Sequence, residues 1–127
     1  VTGVKWLVER PRPITSVGSG LLPGDPSFPS GHTAAAVIVS VMMILIVRNF
    51  ARSRFPDGED DERANRRRVF LRRAIIGAVA LVVAVACSRL LLGLHYPTDV
   101  IISATICPLI SYAVWCVWNA CESAEEW

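Results

Sequence analysis

The sequence predicts an all-α protein, a multi-pass bundle of transmembrane helices. Three observations carry that prediction. Hydrophobic residues make up 53% of the chain and the mean hydropathy is positive at +0.45, which is high for a soluble protein. Three apolar runs, at residues 31–47, 74–94 and 100–118, approach the length that crosses a bilayer. Nine arginines gather in residues 48–73, between the first two runs, rather than being spread over the chain. At 127 residues there is room for one domain. The opening Val1, with no signal pattern before it, reads as mid-chain, so residues 1–127 are expected to form the C-terminal portion of a longer bundle. The net charge of +2 is small and localised, and no nucleic-acid partner is expected.

Taken in order, Val1–Arg10 reads as the end of a helix too short to span, with Val4, Leu7 and Val8 on one face. Pro11 and Pro13 stop it. Lys5, Arg10 and Arg12 make this end cationic, a pattern that most often marks solvated surface. Residues 14–29 are rich in Gly, Ser and Pro and read as a loop, with Asp25 as a turn residue in preference to a partner of the site. Ser30 is a good N-cap for the first span, Gly31–Val47. The free N–H groups and dipole of that helix start favour a bound phosphate, and Gly31 permits close backbone approach. His32 lies within a turn of such an anion, placed to donate a proton. The plainer reading of the same residues is an ordinary cap with an exposed His.

Arg48–Arg73 reads as a hydrophilic connection, a solvated loop that sets topology and lies on the cytoplasmic side. It also holds an acidic run at Asp57, Glu59, Asp60, Asp61 and Glu62. Ala74–Leu94 is the second span and Val100–Trp118 the third, with Pro108 a candidate kink. Trp115 and Trp118 fit an interfacial aromatic belt. The polar tail, Glu122–Trp127, is expected to fray. The four cysteines, at 87, 107, 116 and 121, show no metal-ligand spacing and read as small apolar residues.

The residues that carry chemistry cluster in Ser88–Asp99, between the second and third spans. Ionisable groups at the edge of a span are costly and are functional candidates by default. His95 precedes Asp99 by four residues. A helix starting near Pro97 lets the carboxylate turn back onto the ring, leaving the other ring nitrogen free to attack. Arg89 is then placed to hold the oxyanion under attack. Asp99 reads equally well as a structural cap at the start of the last helix. Topology strengthens the chemical reading. The first span leaves from His32, the second returns to Arg89 and His95, and the third leaves from Asp99. All four therefore reach one membrane face, opposite the arginine-rich connection and so outside the cytoplasm by the positive-inside rule. Lys5 and Arg12 come to the same face.

Lys5-(six residues)-Arg12-Pro13, Pro29-Ser30-Gly31-His32 and Ser88-Arg89-(five residues)-His95-(three residues)-Asp99 resemble the three signature motifs of the type 2 phosphatidic acid phosphatase family, whose superfamily includes the vanadium haloperoxidases. All three are present, in order, over residues 5–99. The resemblance implies a bundle of usually six transmembrane helices, of which three spans would be present here. It implies that His95 is the nucleophile that takes the phosphoryl group, that Asp99 orients it and stabilises its charge, and that His32 protonates the leaving oxygen and then activates water. Lys5, Arg12 and Arg89, with Ser30 and the Gly31 N–H, would bind the phosphoryl oxygens. Three fixed cations can neutralise an in-line transfer, and the motifs carry no acidic run for a divalent ion, so neither a cofactor nor a metal is expected. The expected substrate is a lipid phosphate or pyrophosphate, polyprenyl or glycerolipid, with membrane lipids and the remaining helices of a parent chain or oligomer as partners. Two alternatives are a lipid-binding protein without catalysis and a vanadium-dependent haloperoxidase.

Overall fold

A computed structural model describes residues 2–13, 24–54 and 61–125. Among these residues every regular element is a helix: α1 (Thr2–Val8), α2 (Gly31–Arg54), α3 (Asp61–Leu91) and α4 (Pro97–Glu125). The last three are long and apolar enough to cross a membrane. The middle position belongs to α2, which packs against both α3 and α4, while those two barely meet.

Most of the buried residues along α2 are small, Leu45 being the large one. Ala34, Val37, Ser40 and Ala51 are buried, and Ser40 Oγ donates to the Ala78 carbonyl of α3 at 3.4 Å. Small side chains let helix backbones approach closely where lipid offers no hydrophobic drive to association. Ala78 is the single buried residue of α3, and large apolar side chains such as Ile76, Val79 and Val83 face outward. An outward apolar surface of that kind suits a hydrocarbon solvent.

The arginine-rich connection differs from the expected loop. The helix α2 continues seven residues beyond Val47 to Arg54, and α3 already begins at Asp61. Arginine is a good helix former, and extending an existing helix avoids the cost of nucleation. Asp61 and Glu62 fall in the first turn of α3, where the dipole favours acids, and Glu62 pairs with Arg66 one turn on. The remaining acids of that run, at 57, 59 and 60, lie outside the described residues, as do 14–23 of the first loop. At the other end, α4 starts at Pro97, three residues before the expected Val100, with proline in the first helical position that suits it. It runs through Pro108 as one element and reaches Glu125, so most of the tail expected to fray is helical.

Candidate active site

The functional side chains are delivered by helix ends and by the segments that join them, and each helix end has an identifiable stop or start. α1 ends at Glu9, whose φ of 48° is left-handed, while the Glu9 N–H still bonds the Lys5 carbonyl at 2.9 Å. The following segment is held by Ser27. The Ser27 N–H donates to Arg10 O at 2.8 Å and its hydroxyl to Pro11 O at 3.1 Å. Val4, Leu7 and Val8 are exposed on α1, and Lys5 is turned inward at 9% exposure.

The start of α2 is capped by Ser30, whose Oγ lies 3.4 Å from the Thr33 N–H and 3.0 Å from Thr33 Oγ1. Ser30 is also tied to α4, since its N–H donates to Asp99 O at 3.3 Å and its carbonyl accepts from Ser103 Oγ at 3.2 Å. The end of α3 is a Schellman turn: Gly93 N–H bonds Leu90 O at 2.9 Å, Leu94 N–H bonds Arg89 O at 3.1 Å, and Gly93 has φ 63°. That turn sends Leu94 and His95 back toward the mouth of α2.

A cavity of about 450 Å³ results, lined by Lys5, Arg12, Asp25, Gly31, His32, Ala35, Leu94 and His95. Three segments distant in sequence meet there. A Cβ at Gly31 would meet no protein atom within 4 Å. Arg12 donates to the backbone carbonyls of Asp25 at 3.1 Å and Leu94 at 2.8 Å, and Lys5 to Pro26 O at 3.0 Å. Asp25 bridges both cations, through Oδ2 to Lys5 and through Oδ1 to Arg12 at 2.7 Å. The Lys5 bond, with Arg12 adding to it, pulls the Asp25 pKa down to about 2. The cationic cluster read as solvated surface is therefore mostly internal, and the presumed turn residue is its counter-ion.

His95 is 5% exposed. Its Nδ1 lies 2.7 Å from the Ser27 backbone carbonyl. A carbonyl only accepts, so Nδ1 carries the ring proton and Nε2 keeps its lone pair. Asp99 does not hold the ring as expected. Its Oδ2 is 3.7 Å from His95 Nδ1, beyond hydrogen-bond distance, and instead accepts the Tyr96 N–H at 2.9 Å. Its Oδ1 accepts from Arg10 Nη1 at 2.8 Å, and Arg10 also donates to Thr98 Oγ1 at 2.6 Å and lies over the Tyr96 ring, 4.1 Å from its centroid. Fully buried, Asp99 both caps α4 and places a negative charge near the ring. Burial is the largest influence on His95 and lowers its pKa; the hydrogen bond to Ser27 O and, less strongly, the nearby carboxylate offset only part of it, and Arg12 and Lys5 push it further down.

Five of the eight residues singled out in the sequence line this cavity: Lys5, Arg12, Gly31, His32 and His95. Ser30, Arg89 and Asp99 do not. Ser30 is buried on Thr33, Asp99 stands behind His95, and Arg89 Nε donates to Ser88 Oγ at 3.1 Å. Sequence reasoning missed Ser27 and Arg10 in their roles and undervalued Asp25. Asp25 had a legible signal, a single carboxylate between a cation cluster and Ser30-Gly31-His32. The Ser27 contribution is a backbone carbonyl, which residue identity does not announce.

Compared with protein-family models, residues 1–123 match the PAP2 superfamily. The chain belongs to that superfamily. No curated protein and no solved structure matches it. The PAP2 match runs from α1 nearly to the end of α4 and so includes every residue of the cavity. Membership points to phosphatase chemistry in general, and the three apolar helices of this PAP2 chain mark a membrane protein.

Proposed function

We propose that the chain is a metal-independent membrane phosphatase that hydrolyses a lipid phosphate or pyrophosphate through a phosphohistidine intermediate. The observation that carries this reading is the cavity itself, where a lysine, an arginine and two histidines from separate segments converge at the N-terminus of an apolar helix. His95 Nε2 attacks phosphorus with its lone pair, and the phosphorus–oxygen bond to the lipid breaks as the nitrogen–phosphorus bond forms. His32 gives a proton to the departing oxygen. Then His32 takes a proton from water, the resulting hydroxide attacks phosphorus, and the nitrogen–phosphorus bond breaks to release phosphate and neutral His95. Throughout, Nδ1 keeps its proton on Ser27 O, and the Asp99 charge favours the cationic phosphohistidine.

Lys5 and Arg12 bind phosphoryl oxygens, with the Gly31 N–H completing the cradle at the helix start. Arg89 joins them by turning its long side chain from Ser88 when phosphate arrives. Ser30 contributes by fixing the start of α2. The lipid tail lies among the apolar helices. The starts of α2 and α4 and the end of α3 form the cavity end of the bundle, with the arginine-rich helix ends opposite. By the positive-inside rule the cavity opens outside the cytoplasm of a cell membrane. The test is phosphate release from a panel of lipid phosphates in detergent micelles with EDTA, for the parent and His95→Ala. EDTA-resistant release that the variant loses supports the reading. Lipid binding without turnover in the parent sinks it and favours a binding protein.

A further inference from the structure

Asp25 reaches the cavity from the segment before α2 and divides its two carboxylate oxygens between Lys5 and Arg12. The cations are the buried partners, their side chains 11% and 8% exposed, whereas the Asp25 side chain is 40% exposed. Both cations also have anchors that do not involve that carboxylate: Lys5 holds Pro26 O, and Arg12 holds Asp25 O and Leu94 O. The carboxylate can therefore swing toward solvent while the cations stay in place. Two oxygens of one anion, spread across a lysine and an arginine, also reproduce part of what a phosphoryl group presents.

We infer that Asp25 is a resident anion of the Lys5–Arg12 clamp, and that it sets a charge threshold: phosphoryl ends with two negative charges displace it, and phosphodiester monoanions do not. This rests on the reading of the cavity as a phosphoryl site. The physical argument is an exchange. A phosphodiester would replace one negative charge with one, and would compete against a carboxylate tethered beside the clamp at high effective concentration. A phosphomonoester or terminal pyrophosphate brings a second charge, for which the clamp has an uncompensated cation. The threshold matters for a site set among lipid-facing helices, because phosphodiester headgroups surround it in large excess over any phosphomonoester. After hydrolysis the returning carboxylate also helps to expel phosphate.

The experiment measures inhibition of lipid-phosphate turnover by inorganic phosphate and by dimethyl phosphate, a soluble phosphodiester monoanion, at about pH 8, where inorganic phosphate is mostly dianionic. The proteins compared are the parent, Asp25→Asn and Asp25→Glu. The parent is expected to be inhibited by phosphate and at least about tenfold more weakly by dimethyl phosphate, and Asp25→Asn to tighten dimethyl phosphate roughly tenfold. Asp25→Glu keeps the charge and the parent's discrimination. A merely structural role gives the opposite sign, since a loosened clamp would weaken both inhibitors. Weaker or unchanged dimethyl phosphate inhibition in Asp25→Asn overturns the inference while leaving the phosphatase reading intact. A variant that does not turn over is titrated with the same two anions by calorimetry, and the same signs decide. A parent that neither turns over nor binds phosphate removes the phosphoryl-site reading, and this inference with it.

Discussion

At the scale of single residues, the buried His95 governs the response to pH. Burial holds its pKa below the ordinary 6.5, so the neutral, nucleophilic form persists into mild acid. The acid limb of kcat/KM assigned to His95 is therefore expected below pH 6.5. A limb above that value, abolished with His95, would contradict this assignment. Stability follows the same sign. Below 6.5 the unfolded chain binds a proton that folded His95 resists, and stability falls. Asp25 acts lower: its stabilisation is present above 3.8 and is lost as pH falls toward about 2, about 1 kcal/mol once its solvent exposure is allowed for. Both effects predict acid-labile folding, measurable as a melting temperature that declines in two stages. Arg10→Ala should cost about 2–3 kcal/mol, because it leaves the fully buried Asp99 carboxylate with one bond fewer. Thermal unfolding checks it, and a change within 0.5 kcal/mol would make the pair a surface ornament.

At the scale of elements, the site is an assembly of helix ends. The turn at Gly93 does most to aim His95, since it reverses the chain directly after α3. Gly93→Ala forces a Cβ into a left-handed residue, φ 63°, at about 1–2 kcal/mol. It is expected to lower kcat by more than it lowers the melting temperature, because the proposed nucleophile, His95, moves with the turn. Equal, small effects would place the aim elsewhere. The same elements explain what the sequence made legible. Runs of apolar residues announced α2, α3 and α4, and the motif residues announced the cavity-lining Lys5, Arg12, Gly31, His32 and His95. Helix bounds were less visible, because the charged residues 48–54 and 61–73 continue helices that apolarity alone would have ended. The partners of His95 and Asp99 were not visible either. Spacing placed a carboxylate four residues from an imidazole, but α4 begins so that Asp99 bonds its own Tyr96 N–H and an arginine 89 residues away in sequence.

At the scale of the whole molecule, the two ends of the bundle differ in kind. One carries the cavity, and the other carries the arginines at the end of α2 and the start of α3 together with the C-terminal part of α4. The proposed orientation predicts which end each aqueous compartment reaches. Cys121 is exposed near the far end of α4. In a variant with Cys87, Cys107 and Cys116 replaced by alanine, a membrane-impermeant maleimide should label Cys121 in inside-out vesicles and not in intact cells. Labelling in intact cells would reverse the orientation and with it the compartment from which substrate is drawn. The outward apolar face of α3 carries a related expectation: the purified chain should precipitate when detergent falls below its critical concentration and recover in lipid nanodiscs.

The contact at His95 Nδ1 also says how the protein can change over generations. The group that fixes the ring is a peptide carbonyl, and every amino acid brings one. No codon change at position 27 can delete it. Selection at that position acts instead on the hydroxyl that reaches Pro11 and on the space around it, so a saturation library should favour small residues there and, among them, those that keep a hydroxyl. The support of the proposed nucleophile is inherited through the path of the backbone more than through the side chain above it.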